Sequence, residues 1–231
     1  TMSHNFKVGK CHSFLHDNVA SIEVVYDLVN ENKYKVVYRV FSSGAVKVYV
    51  TYNASQETKP HTLPNIPRMG LRFRVPSELH QVEYFGMGPE ENYVDRCSSS
   101  RVDHFKTTAE EMYYPYVRPQ ENGHHIETRW LALHNGSNNG LLINADTRFE
   151  FNALRNSIED FDSQDHTDLP YQYTNYDDCF HTGLPPKHDE NEAKDVLRRH
   201  QHIDDIVPQD FVEVNIDYKQ QGLAGFDSWG D

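Results

Sequence analysis

KYKVVYRVFSSGAVKVYVTYN, residues 33–53, decides the fold class. Two runs of β-branched and aromatic residues flank a Ser-Ser-Gly break, which is the pattern of two strands joined by a tight loop. Within this stretch Val48, Val50 and Tyr52 fall on one face and Lys47, Tyr49 and Thr51 on the other, the period of two that marks a half-buried strand. Just upstream SIEVVYDLV (21–29) has the same character across a polar Glu-Asn-Lys break, so residues 21–53 read as an antiparallel meander.

The pattern continues outward. MGLRFRVP (69–76), HQVEYFG (80–86), HHIETRWLALH (124–134), GLLINA (140–145), RFEFNA (148–153) and FVEVNIDYK (211–219) read as further strands. The stretch HNGSNNG predicts a hairpin, with Asn139 and Gly140 suited to positive φ. Helical signals are thin, since AEEMYYPYV is cut by Pro115 and only ENEAKDVLRRHQH (190–202) has the acids-before-bases order of a short exposed helix. The expectation is an all-β protein, a large antiparallel β-sandwich. The most linker-like break is NASQETKPHTLPN (53–65), but strands of similar character flank it, so one domain over 1–231 is expected.

Composition narrows the function classes. The chain of 231 residues is 37% hydrophobic, enough for a sizeable core, and no apolar run reaches the ~18–20 residues of a membrane helix. The first twenty residues hold no apolar stretch of signal-peptide type, so no export signal is expected. A formal charge of −13 argues against a phosphate-binding surface and hence against nucleic acid. From Ser157 to Asp205 there are 13 acids against 4 Lys and Arg, which reads as an acidic surface excursion. Cys11, Cys97 and Cys179 are odd in number and lack Cys-x-x-Cys spacing, so buried free thiols are expected rather than disulfides or zinc.

The densest chemistry lies in YFGMGPEENYVDR (84–96) and PYVRPQENGHHIETRW (115–130). Each loop carries a Glu-Asn pair, Glu91-Asn92 and Glu121-Asn122, beside Arg and aromatics. Such groups line sugar pockets, and they also satisfy the backbone of buried turns. The adjacent acids Glu90-Glu91 and Glu110-Glu111, and the adjacent His124-His125, are poor geometry for a catalytic pair or metal site, because strand neighbours point to opposite faces. His200 and His202 have a ligand-like spacing but sit in the acidic stretch. The sequons at Asn53 and Asn135 matter only in a secretory context. In GLAGFDSWGD (222–231), Trp229 stands among glycines, acids and a serine with no periodic apolar partner. It either folds back on the strands or projects as a stacking platform for a ligand.

RMGLRF, VEYFGMGPEENYVDR, PYVRPQENGHHIETRWLAL and FVEVNIDYKQQGLAGFDSWG, taken in order, resemble the C-terminal domain of family 2 β-galactosidases, made by some bacteria as a separate small subunit. The resemblance covers residues 20–150 and 207–230. It implies a supersandwich similar to galactose mutarotase and a part in retaining hydrolysis of terminal β-galactosides. Two glutamates of a (β/α)₈ barrel would carry that hydrolysis, and this chain contains none of the barrel, so no catalytic residue and no metal ligand falls within it. Magnesium and sodium are expected in the barrel domain only. The partners implied are the remaining domains or large subunit, the galactoside, and further copies in an oligomer.

Carried over, Trp229 is the residue that stacks on sugar in the barrel's pocket. Glu91, Asn92, Arg118, Glu121, Asn122 and Asp227 fall to the pocket rim or the domain interface. Family members carry an Arg-Ala-Pro and Asp-Asn-Asp segment ahead of the first strand found here, so the resemblance implies that the N-terminal part of the domain is missing, leaving edge strands near residues 20–50 liable to pair. Two other readings stand beside this one. One is a free-standing carbohydrate-binding module using Trp229 and the Glu-Asn loops. The other is an aldose epimerase, for which His124 or His125 with Glu121 is the candidate set.

Overall fold

Two antiparallel sheets make up almost all of the computed structural model, which describes residues 7–28, 31–53, 66, 68–116, 120–137, 139–161 and 206–222. The chain divides into two compact units, Thr1–Ile66 and Pro67–Asp231. The division falls just after the proline-bearing stretch 53–65. Within the acidic stretch 157–205 only residues 157–161 are described. They form the short helix α1 (Ile158–Phe161), whose Phe161 is buried and stacks on Tyr113 with ring centroids 5.9 Å apart. The possible helix at 190–202, Cys179, His200 and His202 lie outside the described residues.

The first unit is a four-stranded meander, β1 (Lys7–His16), β2 (Val19–Asp27), β3 (Lys33–Val40) and β4 (Val46–Asn53), in that order. Register sets Val24, Val36 and Val50 in one cross-strand row, with Val36 almost fully buried, while Lys35 and Glu23 pair on the other face at 2.8 Å. β4 alternates as the sequence predicts, with Val48, Val50 and Tyr52 half-buried and Lys47, Tyr49 and Thr51 exposed. β1 was not legible in the sequence, because all ten of its residues are exposed and no burial pattern is imposed on them. Its local signal is Asp17-Asn18, both at positive φ (48° and 59°), the two-residue turn that suits the twist of a hairpin. Cys11 lies on β1 and is exposed, which corrects the expectation of a buried thiol, and Cys97 is half-buried.

The second unit holds six strands: β5 (Arg68–Pro76), β6 (Gln81–Gly88), β7 (Arg101–Thr108), β8 (His125–His134), β9 (Gly140–Leu154) and β10 (Phe211–Gln220). Their spatial order is β5-β10-β9-β8-β6-β7, every pairing antiparallel. GLLINA and RFEFNA, separate runs in the sequence, are one strand of 15 residues. β7 escaped notice because it is an edge strand rich in charge, with only Phe105 packed on the core. The turn before β9 has positive φ at Gly136 rather than at Asn139 or Gly140. Gly140 is needed for close approach instead, since a Cβ there would lie 2.2 Å from the Leu133 carbonyl oxygen.

One face of this sheet is the core. Val82 and Tyr84, Leu131 and Leu133, Phe149, Phe151 and Ala153, and Val212 and Val214 form a contiguous buried cluster. Where β9 meets β10 the opposite face is polar, and it is buried as well. Register places Asp217 against Glu150 and Asn215 against Asn152, and all four are at most 5% exposed. Buried polar groups persist only when hydrogen-bonded, so something must satisfy this face.

Candidate functional site

The second Glu-Asn loop and Arg68 satisfy part of it, and the first Glu-Asn loop braces the second. Asn92, fully buried, donates from Nδ2 to the carbonyls of Met87 and Glu90, both at 2.9 Å, and its Oδ1 accepts the Ile126 N–H at 2.9 Å. Its own N–H donates to the His124 carbonyl at 2.7 Å, so one asparagine stitches the first loop to the start of β8. Asn122 does the same within the second loop, accepting from the Tyr114 N–H and donating to the Gln120 carbonyl. Both asparagines therefore serve buried turns, one of the two roles weighed from sequence.

The glutamates tie the loops to each other and to the sheet. Glu91 accepts the Gly123 N–H at 2.7 Å, and its other oxygen is held by Arg96 and the Tyr116 hydroxyl. Gly123 has φ 68° and a Cβ there would meet the Met112 carbonyl oxygen at 2.7 Å, so glycine is required for that contact. Glu121 reaches into the polar face. Its Oε1 accepts from Asn152 Nδ2 at 3.0 Å, and Arg68 lies 3.2–3.3 Å from its two oxygens.

Arg68 also donates from Nε to Asp217 at 2.7 Å, and Asn215 donates to Asn152 at 2.6 Å. Burial pushes the Asp217 carboxyl up to about 6, against the opposing pull of Arg68 and His124. His124 donates from Nε2 to Glu150 Oε2, 3.1 Å away, and stacks on the fully buried Tyr93. Burial raises the Glu150 carboxyl, but His124 and the Gln220 N–H outweigh burial and hold it below the usual carboxylate range. Burial also drives the Tyr93 hydroxyl upward. Among the described residues its hydroxyl and His124 Nδ1 meet no hydrogen-bond partner.

His125 faces the other way. Its Nδ1 lies 3.0 Å from the Met87 carbonyl and 3.1 Å from the Tyr84 hydroxyl, its ring stacks on Phe151, and burial pushes it down to about 4. The two histidines thus do not converge. His124 shares a face with Glu121, but Glu121 is committed to Arg68 and Asn152. Arg118, Asp227 and Trp229 lie outside the described residues.

An open cleft of about 690 Å³ lies at the other end of this face, a feature that sequence reasoning missed. Glu127, Arg129, Arg148, Glu150, Tyr218 and Lys219 line it. Glu127 adopts φ 57°, uncommon for a residue with a side chain, and pairs with Arg148 at 2.5 Å. The signal in sequence was too diffuse, because these residues come from three strands. Among the described residues no group of three or more His, Cys, Asp or Glu is arranged to hold a metal, and no helix is long and apolar enough to cross a membrane.

Fold and site together define an antiparallel β domain built on a buried polar face that its own loops brace. The chain belongs to the beta galactosidase small chain family, whose sequence profile matches residues 2–185. It is 32% identical over 155 residues to a β-galactosidase of Streptococcus thermophilus, covering 66% of this chain and 15% of that protein. It is 28% identical over 211 residues to a β-galactosidase of Priestia megaterium, covering 91% of this chain and 16% of that one. A β-galactosidase of Halalkalibacterium halodurans is 29% identical over 197 residues, 85% of this chain and 16% of its own. The chain thus spans about one-sixth of the curated relatives that it matches.

Proposed function

We propose that this chain is the accessory part of a retaining β-galactosidase that hydrolyses terminal β-D-galactosides. It completes the pocket with the indole of Trp229, and the bond chemistry belongs to two glutamates of a barrel outside the chain. Magnesium and sodium act in that barrel. The observation that carries this reading is the match of four-fifths of the chain to the small-chain family, together with relatives named β-galactosidases of which the matched part covers only 15–16%. Bracing within the polar face agrees with it, since Glu91, Asn92, Glu121 and Asn122 spend their hydrogen-bonding groups on the domain's own frame. Stacking of an indole on a sugar face is worth on the order of 1 kcal/mol, which tunes affinity and performs no bond cleavage.

The test is complementation. The purified chain should not hydrolyse a chromogenic galactoside, and should restore turnover when mixed with a barrel-bearing β-galactosidase fragment. In the restored enzyme Trp229→Ala should raise KM several-fold. Turnover by the chain alone, or no gain on mixing, overturns the assignment.

A further inference from the structure

The YFGMGPEENYVDR loop ends in a tight turn whose purpose the hydrogen bonds above leave open. Tyr93 and Arg96 exchange both backbone hydrogen bonds, at 3.1 and 3.0 Å, which puts Val94 and Asp95 at the tip. Arg96 locks the turn from outside. Its guanidinium sits 5.2 Å from the centre of the Tyr93 ring, donates to the Tyr116 hydroxyl at 2.8 Å, and holds Glu91. Glu91 is fixed in turn by the Gly123 N–H. All this rigidity is delivered to one exposed carboxylate.

That carboxylate lies on the backbone of Gly222. A Cβ at 222 would meet Asp95 Cγ at 2.1 Å and its oxygens at 2.2 and 2.3 Å, so the carboxylate packs directly on the Gly222 backbone and any larger side chain there would displace it. Two residues earlier the same turn grips the strand by another route. The Gln220 N–H donates to Glu150 Oε2 at 2.8 Å, Glu150 pairs with His124, and His124 stacks on Tyr93 with ring centroids 5.1 Å apart. Glu150, backed by His124 and Tyr93, therefore holds the end of β10 at Gln220, and Asp95 lies against Gly222 two residues on.

We propose that Asp95, set by Glu91 and Arg96 in the 93–96 turn and seated on Gly222, is a positioning residue for the C-terminal segment that carries Trp229. The proposal rests on the sugar-stacking role of Trp229 given above. Seven peptide steps from Gly222 limit the reach of the indole to about 25 Å, so a fixed origin narrows where it is presented. A loop that looks like a sugar rim in sequence thus acts on sugar at one remove, by aiming the segment beyond β10.

Two measurements test this. In the chain itself, backbone order parameters of Gln221 and Gly222 should be those of rigid backbone, about 0.85, and should fall below about 0.6 in Asp95→Ala and Gly222→Val while Val212–Asp217 stay unchanged. Unchanged values at 221 and 222 overturn the positioning role whatever Trp229 does. In the complemented enzyme, Asp95→Ala should raise KM about five-fold, the factor matching about 1 kcal/mol of lost stacking, with little change in kcat. The same substitution should have no further effect in a Trp229→Ala background. A full five-fold effect in that background overturns action through Trp229. If Trp229→Ala leaves KM unchanged, the proposed function fails, and the order parameters still decide the anchoring.

Discussion

His125 stands beside His124 in the chain, yet the two rings meet different chemistry because a strand turns consecutive side chains to opposite faces. His124 enters the polar face and His125 the aromatic core, where burial holds it down to about 4. An unfolded histidine titrates near 6.5, so between pH 6.5 and 4 the unfolded chain binds a proton that the folded chain refuses. Stability from this residue is whole above that window and falls as pH drops through it, by about 1.4 kcal/mol per unit and about 3 kcal/mol in all. Urea unfolding at a series of pH values should show this slope in the wild type and lose one proton's worth of it in His125→Gln; an unchanged slope would show that His125 is not held neutral. The Glu-Asn pairs were legible as residues but not in purpose. Their spacing favours a braced turn over a sugar rim, and the partners of Glu91 and Asn92 show the turn being braced.

β10 is the element on which the second unit turns. FVEVNIDYK reads as a strand with one buried face, and its alternation is real, with Val212 and Val214 in the core and Glu213, Asn215 and Asp217 opposite. What alternation hides is that the second face is buried too, because Arg68, Arg74 and Glu121 come from distant parts of the chain to satisfy it. A strand buried on both faces should be equally intolerant on both. Val214→Ala should cost about 2 kcal/mol through lost packing, and Asp217→Ala about 2 kcal/mol by taking from Arg68 one of the two carboxylates that hold it. Asp217→Asn, which still accepts from Arg68 Nε, should cost less. Chemical denaturation checks all three, and a near-neutral Asp217→Ala would return β10 to an ordinary half-exposed strand.

Across the whole molecule the two units differ in how much they bury. Among the described residues the first sheet has one nearly inaccessible hydrophobic side chain, Val36, whereas β6, β8, β9 and β10 share the contiguous core of the second. Amide exchange should follow, with β8–β10 opening at least about 100-fold more slowly than β1–β4, a gap of roughly 3 kcal/mol. Equal protection in both sheets would refute it. The sequence by itself determined the all-β class, the meander over residues 21–53 and the positions of most strands, because a period of two and a tight turn are local properties of the chain. It also carried the resemblance to β-galactosidases that the small-chain family match over residues 2–185 supports. Only the tertiary structure decided the order β5-β10-β9-β8-β6-β7, the continuity of β9, the pairing of the charged edge strand β7, and the burial of the polar face. Those depend on contacts between residues as far apart as Arg68 and Asp217, whose carboxylate and guanidinium acquire a shared purpose only once folding removes both from water.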